Sequence, residues 1–322
     1  MIIRKYNYTQ LNNSTKSNYI ALGFFDGIHL GHQALLYRCK QKAKKDQALS
    51  SVILFNPHPE KIIHQMKHFF LLTPLKEKIQ FIKQTGIDQI ILIHFNKIFQ
   101  KISAENFVGR VLSKHLNMKA VFLGYNYHFG YKKRGDIHLI EQLSNVYHYQ
   151  YLILNPVLSN NEHISSTRIK KLLNNGCIEK ANQMLGYYYQ LSGKVIQGDH
   201  RGGPVLSFPT ANIQIHPKKL IPHNGIYLAK TRINDHAYQG LVNIGFKPTF
   251  YPNQKNKTIE MNIFDFNQDI YGKTIHIELL KKIRNEKKFS STQQLKSQMM
   301  QDKKIAEKLF KNTMIKKKIN MQ

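Results

Sequence analysis

The sequence predicts two domains in series: an α/β unit on a doubly wound parallel sheet, then an antiparallel six-stranded β-barrel with a terminal helix. Three observations predict it. A chain of 322 residues, 42% of them hydrophobic, exceeds what one core comfortably spans and has apolar mass for two. In the first half, short apolar runs alternate with amphipathic segments at a spacing of about 30 residues, the rhythm of a parallel sheet covered by helices. From Gln190 onward, β-rich runs follow one another with glycine and proline punctuation and no helix between them.

Each element has its own warrant. Residues 19–22, 51–55, 89–94, 119–124 and 149–154 read as the strands of the first unit. Thr73-Pro74 reads as a cap followed by a proline at the first helical position, and Ser103 with Glu105 opens another helix. Residues 193–197, 211–215, 225–233, 238–244, 258–266 and 274–280 read as barrel strands, and 291–311 as the closing helix. With no linker of low complexity, a short connection near residue 187 divides the chain into domains 1–186 and 187–322.

Composition narrows the classes of function. The best apolar run, 89–95, falls far short of the ~20 residues a membrane span needs. The polar stretch 1–10 lacks the apolar segment of a secretory leader, so a cytoplasmic protein is expected. Two distant cysteines, Cys39 and Cys177, argue against a disulfide framework and read as buried thiols. The excess of 48 Lys+Arg over 19 Asp+Glu, a net +29, suits polyanions. The lysines are dispersed, however, and only Lys316, Lys317 and Lys318 cluster, where a frayed, disordered tail is the expectation. A solvated basic surface is therefore preferred over a nucleic-acid interface, which stays as an alternative.

The chemistry concentrates in four pieces. Gly23-Phe24-Phe25-Asp26-Gly27-Ile28-His29-Leu30-Gly31-His32 follows a strand and opens a helix. Glycines there let backbone approach an anion, and the helix start offers N–H groups and a positive dipole end. His29 and His32, three apart, fall on one side of the first turn and can donate to oxygens that gain charge. Two packing histidines or a zinc site are the competing readings, but no H-E-x-x-H or third ligand accompanies them. The second piece, Phe55-Asn56-Pro57-His58-Pro59, ends a strand, as does the third, Gly124-Tyr125-Asn126-Tyr127-His128-Phe129-Gly130. In the fourth, Ser165, Ser166 and Thr167 are either helix caps or, with Arg168, a clamp for a phosphate leaving group. All four fall on the rim where a parallel sheet binds its ligands.

In this order, and with Leu72-Thr73-Pro74-Leu75-Lys76-Glu77-Lys78, the motifs resemble the bacterial bifunctional riboflavin kinase/FAD synthetase family over nearly the whole chain. The resemblance implies an N-terminal nucleotidyltransferase domain that joins FMN and ATP into FAD and pyrophosphate. It places His29 and His32 at the phosphates as catalytic groups. Gly23, Phe25, Asp26, Gly27, Asn126, Ser166, Thr167 and Arg168 join them at ATP, with Asn56 and His58 near the flavin. Members often carry Asp-Phe at Asn126-Tyr127.

In the barrel, Phe208-Pro209-Thr210-Ala211-Asn212 by itself reads as a turn. It also resembles the riboflavin kinase signature, which implies that Thr210 and Asn212 hold Mg²⁺ and, with Gly198 and Pro209, the ATP phosphates. Glu260, on a strand that alternates apolar and polar residues, by itself reads as a solvated carboxylate; it also matches the family's general base for the ribityl hydroxyl, with Asp265 and Asp269 as the nearby alternatives. Lys247 replaces an arginine of the family pattern. The segment Gly198 to Ser207 departs further, with Gly203 for an arginine, one extra residue, and Ser207 for a glycine. The expectation is a bifunctional flavin-forming enzyme using riboflavin, FMN, ATP and Mg²⁺, a monomer or weak oligomer without membrane partners. An FAD synthetase with a silent, flavin-binding barrel is the second reading, and a nucleic-acid-binding protein on the same fold the third.

Overall fold

The computed structural model describes residues 1–7, 14–63, 69–197, 210–246 and 257–319, with the side chains of the terminal helix described through Lys311. Two compact units divide between Ser166 and Thr167.

The first unit holds six parallel strands: β1 (Ile2–Tyr6), β2 (Asn18–Ala21), β3 (Leu49–Asn56), β4 (Gln89–His94), β5 (Met118–Gly124) and β6 (Gln150–Leu154), ordered β1-β4-β3-β2-β5-β6. From β2 the chain runs outward one way through β3 and β4, then returns to the other side for β5 and β6. The carboxyl end of β2 is thus the switch point, where open parallel sheets bind ligands. Helix Leu30–Lys45 covers one face with Leu35, Leu36, Cys39 and Ala43, beside Ile82 of helix Leu75–Thr85. The π-helix Phe107–His115 and helix Ile137–Tyr147 cover the other through Val108, Val111, Leu112 and Ile140. Polar side chains lock the strand starts: the Ser51 hydroxyl and the Gln89 amide both donate to Asn18 Oδ1, at 2.9 and 2.5 Å.

The sheet has one strand more than the five expected. β1 joins at the edge beside β4, and its mostly exposed residues leave almost no alternation to read. The helix opened by Ser103 becomes a π-helix after Asn106. Thr73 does not cap the next helix: Pro74 occupies that position without a side-chain bond, and Thr73 turns to another partner.

The second unit begins within helix Ser166–Asn174, and the next helix, Ile178–Leu185, packs on the barrel. Asn182 donates to Leu279 O at 2.9 Å and accepts from Tyr189 N at 2.8 Å. The contact division therefore precedes the connection near residue 187. Then come β9 (Tyr189–Ile196), β10 (Thr210–Ile215), β11 (Gly225–Ile233), β12 (His236–Phe246), β13 (Lys257–Ile263) and β14 (Thr274–Arg284), after the short hairpin β7 (Leu158–Ser159) and β8 (Glu162–His163) that ends the first unit. β9 to β14 form a closed antiparallel barrel ordered β10-β13-β12-β11-β14-β9. At Gly240 a Cβ would meet Asn262 O at 2.2 Å, so only glycine lets β12 and β13 come this close.

The terminal helix, Thr292–Ile319, lays Ala306 and Phe310 on Leu228, Leu241 and Leu280. Arg284 grips the buried Asp302 with two nitrogens, Nη2 at 2.7 Å and Nε at 3.0 Å. The helix runs through Lys316, Lys317 and Lys318, so the disordered tail expected there is replaced by helix, consistent with lysine's good helical propensity. Cys177 is exposed, contrary to expectation, because it lies in the turn between two helices. Cys39 is buried under the sheet.

Candidate functional site

The loop after β2 is held in an unusual shape. Phe25, Gly27 and Ile28 all have positive φ, at 49°, 87° and 38°. Only glycine adopts that region freely, and a β-branched residue there is an outlier costing about 1–3 kcal/mol. Such a conformation persists only when its surroundings fix it. Thr73, 1% exposed, accepts the Gly27 N–H on Oγ1 at 2.9 Å and donates its own N–H to Asp26 Oδ1 at 3.1 Å. Lys78 Nζ donates to Phe24 O at 2.6 Å, and Ser166 Oγ donates to Asp26 O at 2.8 Å. Phe25 packs under His32 with ring centroids 5.2 Å apart, and a Cβ on Gly23 would come within 3.1 Å of that phenyl ring. Phe25 and Asp26 are therefore buried supports of the loop, at 0% and 4% exposed.

His29 ends the loop as the N-cap of helix Leu30–Lys45, and its Nδ1 accepts the His32 N–H at 3.3 Å. An acceptor Nδ1 leaves the proton of the neutral ring on Nε2, where it can be donated to an anion. The His29 and His32 rings stack at 3.7 Å and 14°, on one side of the turn as the sequence predicts. Burial pushes the His29 imidazole down to about 4, against the pull of Asp26. Burial, His29 and Lys78 together hold His32 well below the usual imidazole range. The Nδ1 of His32 is buried with no hydrogen-bond partner among the described residues. Both rings are neutral donors or acceptors near pH 7. Two amides that the sequence reading offers to an anion are already engaged, that of Gly27 with Thr73 and that of His32 with His29.

The other pieces of the front rim gather beside this loop. The Phe24 ring lies 5.8 Å from that of His58 and 6.3 Å from that of Tyr127, bringing the first three motifs together. Next to them is a cavity of about 420 Å³, lined among others by Phe24, Phe55, Phe99, Tyr127, Phe129 and Lys132. Phe55 and Pro59 line it, but Asn56 and His58 do not. Asn56 and Asn126 are exposed at the ends of their strands. Sequence reasoning missed Phe24 and the aromatic wall from Phe95 to Phe107; their clustering could be read only as core. Ser166 reaches the loop through Asp26 O, while Thr167 and Arg168 open the second unit.

On the barrel, Asn212 of β10 pairs in register with Glu260 of β13, and Glu260 pairs with Asn243 of β12. Thr210 pairs likewise with Asn262. Register partners share a face, so these residues form a polar patch opposite the buried Ile259, Met261 and Ile263. Asn243 Oδ1 is buried there with no hydrogen-bond partner among the described residues. In the sequence Asn243 only opens the Asn243-Ile244-Gly245-Phe246-Lys247-Pro248 likeness to the family pattern and carries no role of its own; the local signal was a polar residue between Val242 and Ile244. Gly198, Pro209, Lys247 and the altered 198–207 segment lie outside the described residues. No cluster of three or more histidine, cysteine or acidic residues able to hold a metal occurs among the described residues.

Residues 11–168 match the family model described as FAD synthetase, and residues 185–310 the one described as riboflavin kinase. Proteins called bifunctional riboflavin kinase/FMN adenylyltransferase are similar to this chain from end to end. The Buchnera aphidicola protein (strain APS) is 37% identical, covering 95% of this chain and 96% of its own. The Bacillus subtilis protein is 36% identical over 91% of this chain and 92% of its own, and that of Escherichia coli K12 31% over 90% and 92%. A solved Streptococcus pneumoniae structure described as a macrolide-efflux protein has a TM-score of 0.84 and 30% identity, covering 95% of this chain and 99% of that one. With both family models matched in order and relatives 31–37% identical over 90% or more of its length, this chain belongs to the bifunctional riboflavin kinase/FMN adenylyltransferase family.

Proposed function

We propose that this protein makes both flavin cofactors, phosphorylating riboflavin to FMN on the barrel and adenylylating FMN to FAD on the parallel sheet. The observation that carries the bifunctional reading is the barrel patch, where Glu260 lies between Asn212 and Asn243 on paired strands. A kinase barrel needs a carboxylate within reach of the ribityl hydroxyl, and Glu260 offers one on that patch.

In the kinase step, the Glu260 carboxylate takes the proton of the ribityl 5′-hydroxyl as that oxygen attacks the γ-phosphorus of ATP, and ADP leaves. Thr210 and Asn212 offer the oxygen donors a hard divalent cation prefers, and the orphan Oδ1 of Asn243 adds an acceptor on the other side of Glu260. Thr210 and Asn212 are the residues that would hold Mg²⁺, which would supply neutralisation of the phosphate charge.

In the adenylyl step, an FMN phosphate oxygen attacks the α-phosphorus of ATP in line and the bond to pyrophosphate breaks, with no covalent enzyme intermediate. His29 and His32 donate to phosphate oxygens from a buried, preorganised position, where such donors act more strongly than in water. Asn126 holds the nucleotide, and Ser166, Thr167 and Arg168 bind the leaving group. The aromatic cavity takes the flavin ring, with Asn56 and His58 at its border. We assign adenylyl transfer to residues 1–186 and the kinase to 187–322. The protein works in the cytoplasm as a monomer or weak oligomer; among the described residues no helix is long and apolar enough to cross a membrane.

The test is to incubate the purified protein with riboflavin, ATP and Mg²⁺, and separately with FMN, ATP and Mg²⁺, and resolve the flavins by chromatography. FAD from both mixtures is the expected result. FAD from FMN alone means a silent barrel, the outcome that the altered 198–207 segment would explain. FAD from neither, with salt-sensitive retention on DNA, would favour the nucleic-acid reading of the +29 charge.

A further inference from the structure

We infer that Thr73 and Lys78 are positioning residues for adenylyl transfer, a two-point brace from the Leu72–Lys78 segment that holds the strained loop before His29 in its working shape. The inference rests on the adenylyl-transfer reading of this site. Neither residue belongs to the loop, and the two act on different atoms of it. Thr73 closes a reciprocal pair with Asp26 and Gly27, accepting at 2.9 Å and donating at 3.1 Å across 47 residues of chain. Lys78 draws the Phe24 carbonyl to its ammonium at 2.6 Å.

The brace itself is rigid. Lys78 N donates to Pro74 O at 2.9 Å in the first turn of helix Leu75–Thr85, so the hydroxyl and the ammonium project from one ordered helix start. Both residues are buried, Thr73 at 1% and Lys78 at 6% exposed. A buried ammonium is costly in isolation, and here it meets a backbone carbonyl.

The loop needs such a brace because two of its non-glycine residues, Phe25 and Ile28, hold positive φ just before the N-cap histidine. If the loop relaxed, the peptide of Ile28 would turn and carry the His29 ring with it, and His32 stacks on that ring at 3.7 Å. Displacing donors by about 1 Å is enough to cost on the order of 100-fold in rate. Lys78 has a second effect: after burial and His29, its charge adds to what holds the His32 imidazole below its usual range.

The experiment uses the full-length protein with Thr73→Val, Thr73→Ser, Lys78→Met and Lys78→Arg. FAD formation from FMN and ATP is followed as kcat and KM, with riboflavin phosphorylation by the same preparation reporting an intact barrel. Thr73→Val removes the acceptor at constant volume and should lower the adenylyl kcat ~10- to 100-fold, with KM for ATP changed less than about threefold. Thr73→Ser, which keeps the oxygen, should restore kcat to within about threefold of wild type. Lys78→Met should lower kcat similarly and raise the pKa of the acidic limb of the rate profile, and Lys78→Arg should recover part of the rate. An unchanged kcat in Thr73→Val and Lys78→Met, or a Thr73→Ser protein as slow as Thr73→Val, overturns the inference. Wild-type protein that forms no FAD overturns the adenylyl-transfer reading instead, so the two failures are distinct.

Discussion

Acid should loosen the front unit through His29. Its ring is 7% exposed and its imidazole is pushed from 6.5 down to about 4 by burial. Above pH 6.5 neither folded nor unfolded chain protonates this ring, so its stabilising effect is fully present. Below 6.5 the unfolded chain binds a proton that the folded chain refuses until the pH nears 4, and stability falls with pH through that window. With 1.36 kcal/mol for each tenfold difference in proton affinity, the loss attributable to His29 is ~2.5 kcal/mol at pH 4.5. His29→Gln keeps a polar cap and cannot titrate, so it should lose that much less than wild type between pH 7 and 4.5. Hydrogen exchange at the amides of Leu35 and Leu36, residues whose side chains lie in the front core, reports this unit by itself. The imidazole resonance of His29 should titrate near pH 4 in the same samples. Titration near 6.5, or equal losses of protection in the two proteins, would refute the reasoning.

Three further outcomes are expected. Glu260→Gln should lower riboflavin phosphorylation ~10²- to 10⁴-fold while FAD formation from supplied FMN is unchanged, as read by chromatography of the two reactions. Asp302→Ala leaves Arg284 without its buried partner and should cost the barrel unit ~3–5 kcal/mol in urea unfolding; Asp302→Ala within 1 kcal/mol of wild type would mean that the fork adds little. A thiol reagent should modify one cysteine of the native protein: Cys177 is exposed, whereas Cys39 is buried, its thiol pushed up to about 12, and should react only on unfolding.

What the sequence by itself determined is what local pattern can carry. Five strands of the sheet, all six of the barrel and the closing helix were legible because period-2 alternation and glycine or proline punctuation are short-range signals. So were the motifs at the rim, since a glycine-rich turn between a strand and a helix has a local physical meaning. His29 and His32 three residues apart and Glu260 on an alternating strand belong to this class.

Tertiary structure decided what depends on partners distant in sequence. β1 is a strand because β4 offers it an edge, and its own residues scarcely alternate. Cys177 is exposed because the turn between its two helices is. Thr73 left its expected capping role because Gly27, 46 residues earlier, offers its hydroxyl a buried donor. Asn243 became part of the barrel patch only through the register of β12 on β13. Sequence separation hides such pairs, since chain closure brings together residues whose local patterns carry no mark of one another, and burial then makes each unmade hydrogen bond too costly to leave open.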